Sequence, residues 1–124
     1  MEEKRKKINQ HTHIYKNADG SVFGKKVVNK FSDGSKNAVW HLFNPKTNNF
    51  YSKAGLLGAT APLYNADILH NNQDNTECPI IIVEGEKDVE TLANMEILAT
   101  SLPILQNTLL FRYFSYFIPY FSRY

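Results

Sequence analysis

The chain has 124 residues, 43% of them hydrophobic and 21% charged, with a formal net charge of +2. That length holds one small domain, or one group of elements with part of another, and the composition is that of a globular protein. The single cysteine, Cys78, excludes an internal disulfide and a cysteine-rich zinc site, and the charged N-terminus lacks the apolar segment of a secretory signal, so a reducing cytoplasm is the expected compartment.

Charge is unevenly spread. Residues 1–53 carry 11 Lys/Arg against 4 Asp/Glu, and residues 54–124 carry 3 against 8. A basic front and an acidic rear suit a chain that meets a phosphate backbone with one part and offers carboxylates with the other. Residues 1–10, with Lys4-Arg5-Lys6-Lys7, read as a basic flexible tail. Residues 11–53 read as an antiparallel β meander. Ile14 and Tyr15 lead into Asn17-Ala18-Asp19-Gly20-Ser21, and Asp-Gly between β-prone runs is a hairpin signal. Val22, Phe23, Val27, Val28 and Phe31 make the next strand, with Gly24 marking a bulge. Asp33-Gly34 turns again, Val39, Trp40, Leu42 and Phe43 make a third strand, and Asn44 to Asn49 turns before Phe50-Tyr51. Tyr15, Phe23, Phe31, Trp40 and Tyr51 among Lys16, Lys25, Lys26, Lys30 and Lys36 suggest an aromatic–basic face for single-stranded nucleic acid. The competing use of those aromatics is as core, which so small a sheet needs. His11 and His13 share a strand face, but His41 and His70 are not placed by spacing, so no histidine metal site is predicted.

Residues 54–77 read as a connector ending in the polar loop Asn71 to Thr76. The richest stretch follows. Ile80 to Val83 are all β-branched and continuous, which predicts a strand covered on both faces, as in a parallel sheet. Gly85 predicts a sharp turn or positive φ. Glu86 and Asp88 fall in the first turn of a helix, where negative charge meets the helix dipole favourably. Val89, Leu92, Ala93 and Met95 give that helix its apolar stripe, Asn94 and Met95 lie at its end, and Ile97 to Ala99 make the next strand. This order puts Glu84 at the carboxyl end of a strand, where open α/β sheets hold ligands and metals. Glu84 there suits a metal ligand or a general acid or base near a phosphodiester. Asp88 reaches the same mouth, and Lys87 suits a phosphate. The plainer reading makes Glu86 and Asp88 dipole-stabilising residues and Lys87 a solvated one.

At these residues the chain resembles the TOPRIM domain, the metal-binding catalytic module of DNA primases, topoisomerases and some nucleases. The matching core is IIIVEGEKDVETLA followed by LATS, and its E-G-E-K-D form is most similar to primases and primase-helicases of phages, plasmids and other mobile elements. Ala61 to Leu69 resembles the linker ahead of the motif in those proteins, and the β-rich stretch resembles their upstream region, so the likeness spans roughly residues 12–102. It implies an α+β protein with a partial TOPRIM unit over residues 78–103, Glu84 as the catalytic glutamate, Glu84 and Asp88 toward Mg²⁺ or Mn²⁺, Gly85 as the structural turn, and Lys87, Lys25, Lys26 and Lys30 toward phosphate or nucleic acid. It also implies a role in DNA replication, with single-stranded DNA or RNA and a helicase domain or other replication protein as partners.

The family pattern then breaks. A complete TOPRIM domain ends a later strand in an Asp-x-Asp pair, and this sequence has no Asp after Asp88; Glu90 and Glu96 are the only further acids. One carboxylate holds hydrated Mg²⁺ weakly. The reading is therefore a truncated primase-like protein, inactive alone. The alternatives are a non-catalytic nucleic-acid-binding module, and a chain too incomplete to fold well. Residues 104–124 do not resemble the family. They hold 8 of the 16 aromatic residues, and read as an aberrant tail prone to self-association. Pro119, Arg112, Gln106 and Asn107 interrupt any span of the ~20 apolar residues a membrane crossing needs.

Overall fold

A computed structural model describes residues 4–75 and 77–101 of the chain. The aromatic tail and the boundary at Leu102-Pro103 lie outside them. The fold is mixed α and β, and it divides into a β-rich unit ending at Thr60 and a second unit from Ala61 onward that takes in the loop Lys16–Ser21.

In the first unit, β1 (Lys7–Lys16), β2 (Val22–Phe31), β3 (Lys36–Asn44) and β4 (Asn49–Phe50) form one sheet in that order. This is the meander expected from the sequence, except that β1 begins at Lys7, so Lys7 to Gln10, read as part of a flexible tail, are paired strand; its joints explain why it forms. Asn17–Ser21 and Phe31–Ser35 are two copies of one hairpin loop. In each, the glycine N–H donates to the carbonyl three residues back (Gly20 to Asn17, 2.9 Å; Gly34 to Phe31, 3.0 Å). Gly20 and Gly34 have φ of 88° and 86°, the left-handed conformation that closes a three-residue loop. Each aspartate then holds the following serine twice. Asp19 Oδ1 accepts from Ser21 N at 2.9 Å and Ser21 Oγ at 2.6 Å, and Asp33 Oδ1 accepts from Ser35 N at 2.9 Å and Ser35 Oγ at 2.5 Å. These donors draw both carboxyls below the ordinary aspartate range.

The β2–β3 ladder is unbroken from Gly24↔Leu42 to Lys30↔Lys36. Against β3, Gly24 is therefore no extra residue. Its role is steric, since a Cβ at this position would lie 2.7 Å from the His41 carbonyl oxygen and 3.2 Å from Leu42 Cα. The backbones approach too closely for a side chain. A polar ladder crosses the sheet, with Gln10 Nε2 donating to Asn29 Oδ1 and Asn29 Nδ2 donating to Asn37 Oδ1, both at 2.9 Å. It satisfies the amide of Asn29, which is buried. After β4 the chain runs back along β3: Tyr51 N donates to the Leu42 carbonyl, Gly55 N to the Trp40 carbonyl, and His41 Nδ1 meets the Tyr51 carbonyl at 2.9 Å.

In the second unit, helix α1 (Ala66–Asn71) lies within the stretch read as a connector. Strand β5 (Ile81–Val83), helix α2 (Glu86–Asn94) and strand β6 (Ala99–Ser101) follow, and β5 pairs with β6 in parallel as Ile81↔Ala99, Ile82↔Thr100 and Val83↔Ser101. Parallel neighbours need a crossover, and α2 supplies it. Ile80 and Ile82 are buried while Ile81 and Val83 are half-buried, so only one face is fully covered. The expectation of full cover on both faces overstated this. Helix α2 ends in a Schellman cap. Glu96 N donates to Ala93 O and Ile97 N to Leu92 O, both at 2.9 Å, with Glu96 left-handed at φ 60°. Ile97 is consumed by this cap, so β6 begins at Ala99 rather than at Ile97. Tyr64 joins β6 from the other side. Its N–H donates to the Ser101 carbonyl at 3.4 Å, and Thr100 Oγ1 donates to the Tyr64 carbonyl at 2.7 Å.

Candidate functional site

The candidate site is the loop where β5 becomes α2. Val83 closes the strand, Glu84 and Gly85 bend the chain, and Glu86 opens the helix. Glu84 is exposed at that strand end, which is the place the sequence predicts for it. Gly85 is the residue ahead of the helix, with φ −138° and ψ 163°. This is extended backbone, not the positive φ considered from the sequence, and a Cβ here would meet nothing within 4 Å. The bend is present, but neither conformation nor packing demands glycine. No side-chain cap bond is made at Gly85, and the first turn carries the positive end of the helix dipole.

Lys87 and Asp88 are exposed on the first turn, and Glu86 is buried. The inward stripe of α2 is thus Glu86, Val89 and half-buried Leu92, a spacing of three. Ala93 and Met95, expected in the stripe, are exposed. Sequence reasoning gave Glu86 only a dipole role; the signal for its burial was its spacing of three from Val89. Tyr64 was also missed. Its hydroxyl donates to Glu90 Oε1 at 2.9 Å. Burial, reinforced by the Glu90 carboxylate, pushes the phenol well above the usual tyrosine range. Ser101, opposite Val83 at the end of β6, is buried, and its Oγ has no hydrogen-bond partner.

Among the described residues, no three His, Cys, Asp or Glu side chains gather into a group that could hold a metal ion. Glu84 and Asp88 have no third acidic or histidine side chain grouped with them there, so no chemical step is derived through a metal.

The basic residues lie in the first unit. Lys26 stands opposite Trp40 on the sheet, its Nζ 5.9 Å from the ring centroid, and Tyr15 packs on the same ring at 4.6 Å between centroids. Lys30 is opposite Lys36, on the face of Lys26. Lys25, next in the strand, points to the other face, where its Nζ lies 4.6 Å from the centroid of Phe50. Arg5 covers Phe31 at 4.2 Å. The aromatic–basic set of the sequence is thus divided between two faces. Trp40, Tyr15, Lys26, Lys30 and Lys36 share one, and Lys25 belongs to the other.

Compared with known proteins, the chain matches no family model, no curated protein and no solved structure. Among the described residues, no helix is long and apolar enough to cross a membrane.

Proposed function

We propose that the chain descends from primase-type TOPRIM proteins of mobile elements, and that its own residues bind single-stranded nucleic acid rather than transfer nucleotides. The observation that carries the ancestry is the unit β5–Glu84–Gly85–α2–β6. A glutamate leaves the end of a parallel strand, beside an uncapped helix start and a glycine that the backbone does not require. Grafting residues 80–92 into the matching segment of a working primase tests it. Primer synthesis should persist in the graft and vanish with Glu84→Gln; full-rate synthesis by the Gln graft would remove Glu84 from the role.

The binding part rests on the sheet. Lys30 and Lys36 stand directly opposite each other, an arrangement that is destabilising in a bare sheet and is relieved by a bound polyanion. Trp40 lies on the same face, four residues from Lys36 along β3, where Tyr15 and Lys26 already pack on its ring; a base stacking on what remains open of it would add roughly 1–3 kcal/mol. Single-strand affinity should fall with salt, with a log–log slope of about −0.7 per phosphate contact, and Lys26→Gln, Lys30→Gln and Lys36→Gln should each flatten that slope by a similar amount. Salt-insensitive binding would remove this reading while leaving the ancestry test untouched.

A further inference from the structure

The first sheet has two edges, β1 and β4. Strand β4 is two residues long, and Tyr51 to Gly55 return along β3 beside it. Strand β1 is ten residues long, and all of its side chains except His13 and Tyr15 are exposed. Long edges of this kind are normally blunted by a charge, a proline or a bulge. Between Lys7 and Lys16 the strand carries no Lys, Arg, Asp, Glu or Pro. Instead it exposes two large apolar side chains, Ile8 at 63% and Ile14 at 41%.

We propose that β1 pairs antiparallel with β1 of a second copy of this chain, about a two-fold axis through His11. The strand is self-complementary in this register. Ile8 falls opposite Ile14 of the other copy, twice by symmetry, on the face that also carries Gln10 opposite Thr12. His11 falls opposite itself. Slipping the register by one residue puts side chains from unlike faces opposite each other. Slipping it by two sets Ile8 against Thr12 or Lys16 and breaks both isoleucine pairs. Only the register centred on His11 covers both exposed isoleucines with each other. An isologous contact of this kind closes on itself, so it yields a dimer and not a fibre. Lys6 and Lys16 approach at each end of the paired strands. Added salt screens that repulsion, so dimerisation should tighten where nucleic-acid binding weakens.

Register-specific cross-linking of the full chain tests the proposal. In a Cys78→Ser background, His11→Cys places two thiols directly opposite each other, with Cα atoms about 4.5–5.5 Å apart, within the range a disulfide spans. Thr12→Cys faces Gln10 instead of its own copy. The expected result is a wild-type dimer by sedimentation equilibrium, an intermolecular disulfide forming at least about tenfold faster for His11→Cys than for Thr12→Cys, and a monomer for Ile14→Lys with an unchanged circular dichroism spectrum. A monomeric wild type, equal cross-linking at the two positions, or an Ile14→Lys protein that dimerises as before would overturn it.

Discussion

Glu96 is the residue whose replacement should most clearly stabilise the protein. It occupies the left-handed position of the α2 cap at φ 60°, where glycine is the usual choice. An L-residue there carries about 1–2 kcal/mol of steric strain. Glycine removes the strain but adds unfolded-state freedom worth roughly 0.5–1 kcal/mol. The side chain is exposed, so little packing is lost. Glu96→Gly should therefore stabilise by about 0.5–1 kcal/mol, which for a small protein moves the urea midpoint by about 0.5 M. Glu96→Ala serves as the control: both variants remove a carboxylate from the negative end of the helix dipole, a shared gain of about 0.3–1 kcal/mol, but Ala keeps the strain, so the net strain relief of about 0.5–1 kcal/mol is the margin by which Gly should exceed Ala. Urea titration followed by far-ultraviolet circular dichroism reads both. If Glu96→Gly is no more stable than Glu96→Ala, the left-handed cap is not a feature of the folded protein, and the start of β6 must be placed again.

Gly24→Ala should lose about 1–3 kcal/mol in the same titration, because the new methyl would sit 2.7 Å from a backbone oxygen; a gain in stability, as strand propensity alone expects, would contradict the close approach. Thr100→Val keeps the shape of a buried side chain but leaves the Tyr64 carbonyl without its 2.7 Å donor, a loss of about 1–3 kcal/mol; an unchanged melting temperature would show that Tyr64 is not held to β6 in this way. Asp19 and Asp33 should titrate below the ordinary aspartate value of about 3.9, because the serine donors favour the charged form. Their folded-state values being depressed, the support they give the two loops is complete above that ordinary value and is lost as pH falls through the lowered ones. Carboxyl-carbon NMR titration measures both midpoints, and values at or above 3.9 would mean that the serine contacts do not form in solution.

Much of this was legible because local chemistry decides it. Asp-Gly-Ser states a hairpin wherever β-prone residues flank it, and both loops are where the sequence places them. Ile80 to Val83 followed by Gly85 and acids likewise states a strand and a helix start. What was hidden depends on partners. Gly24 reads as a bulge in the sequence, and only the approach of the His41 carbonyl reveals its steric role. Glu96 carries no cap signal, so the beginning of β6 was set two residues early. Alternation along β2 separates Lys25 from Lys26 and Lys30, yet the faces could be assigned only once Trp40 and Phe50 had fixed the register. At the site, the position of Glu84 was legible from the strand–turn–helix order, whereas the burial of Glu86 and the Tyr64–Glu90 bond were not, since Tyr64 lies outside the motif.

The twin loops also set an order of events. Each closes five residues, and isolated hairpins form in about 1–10 μs. The sheet can therefore start from either turn with little loss of chain entropy. The β5–β6 pair has no such shortcut, since its strands are joined through residues 84–98 and cannot meet until α2 has wound and turned back. A chain emerging from the ribosome thus completes its basic sheet before Glu84 has a helix beside it.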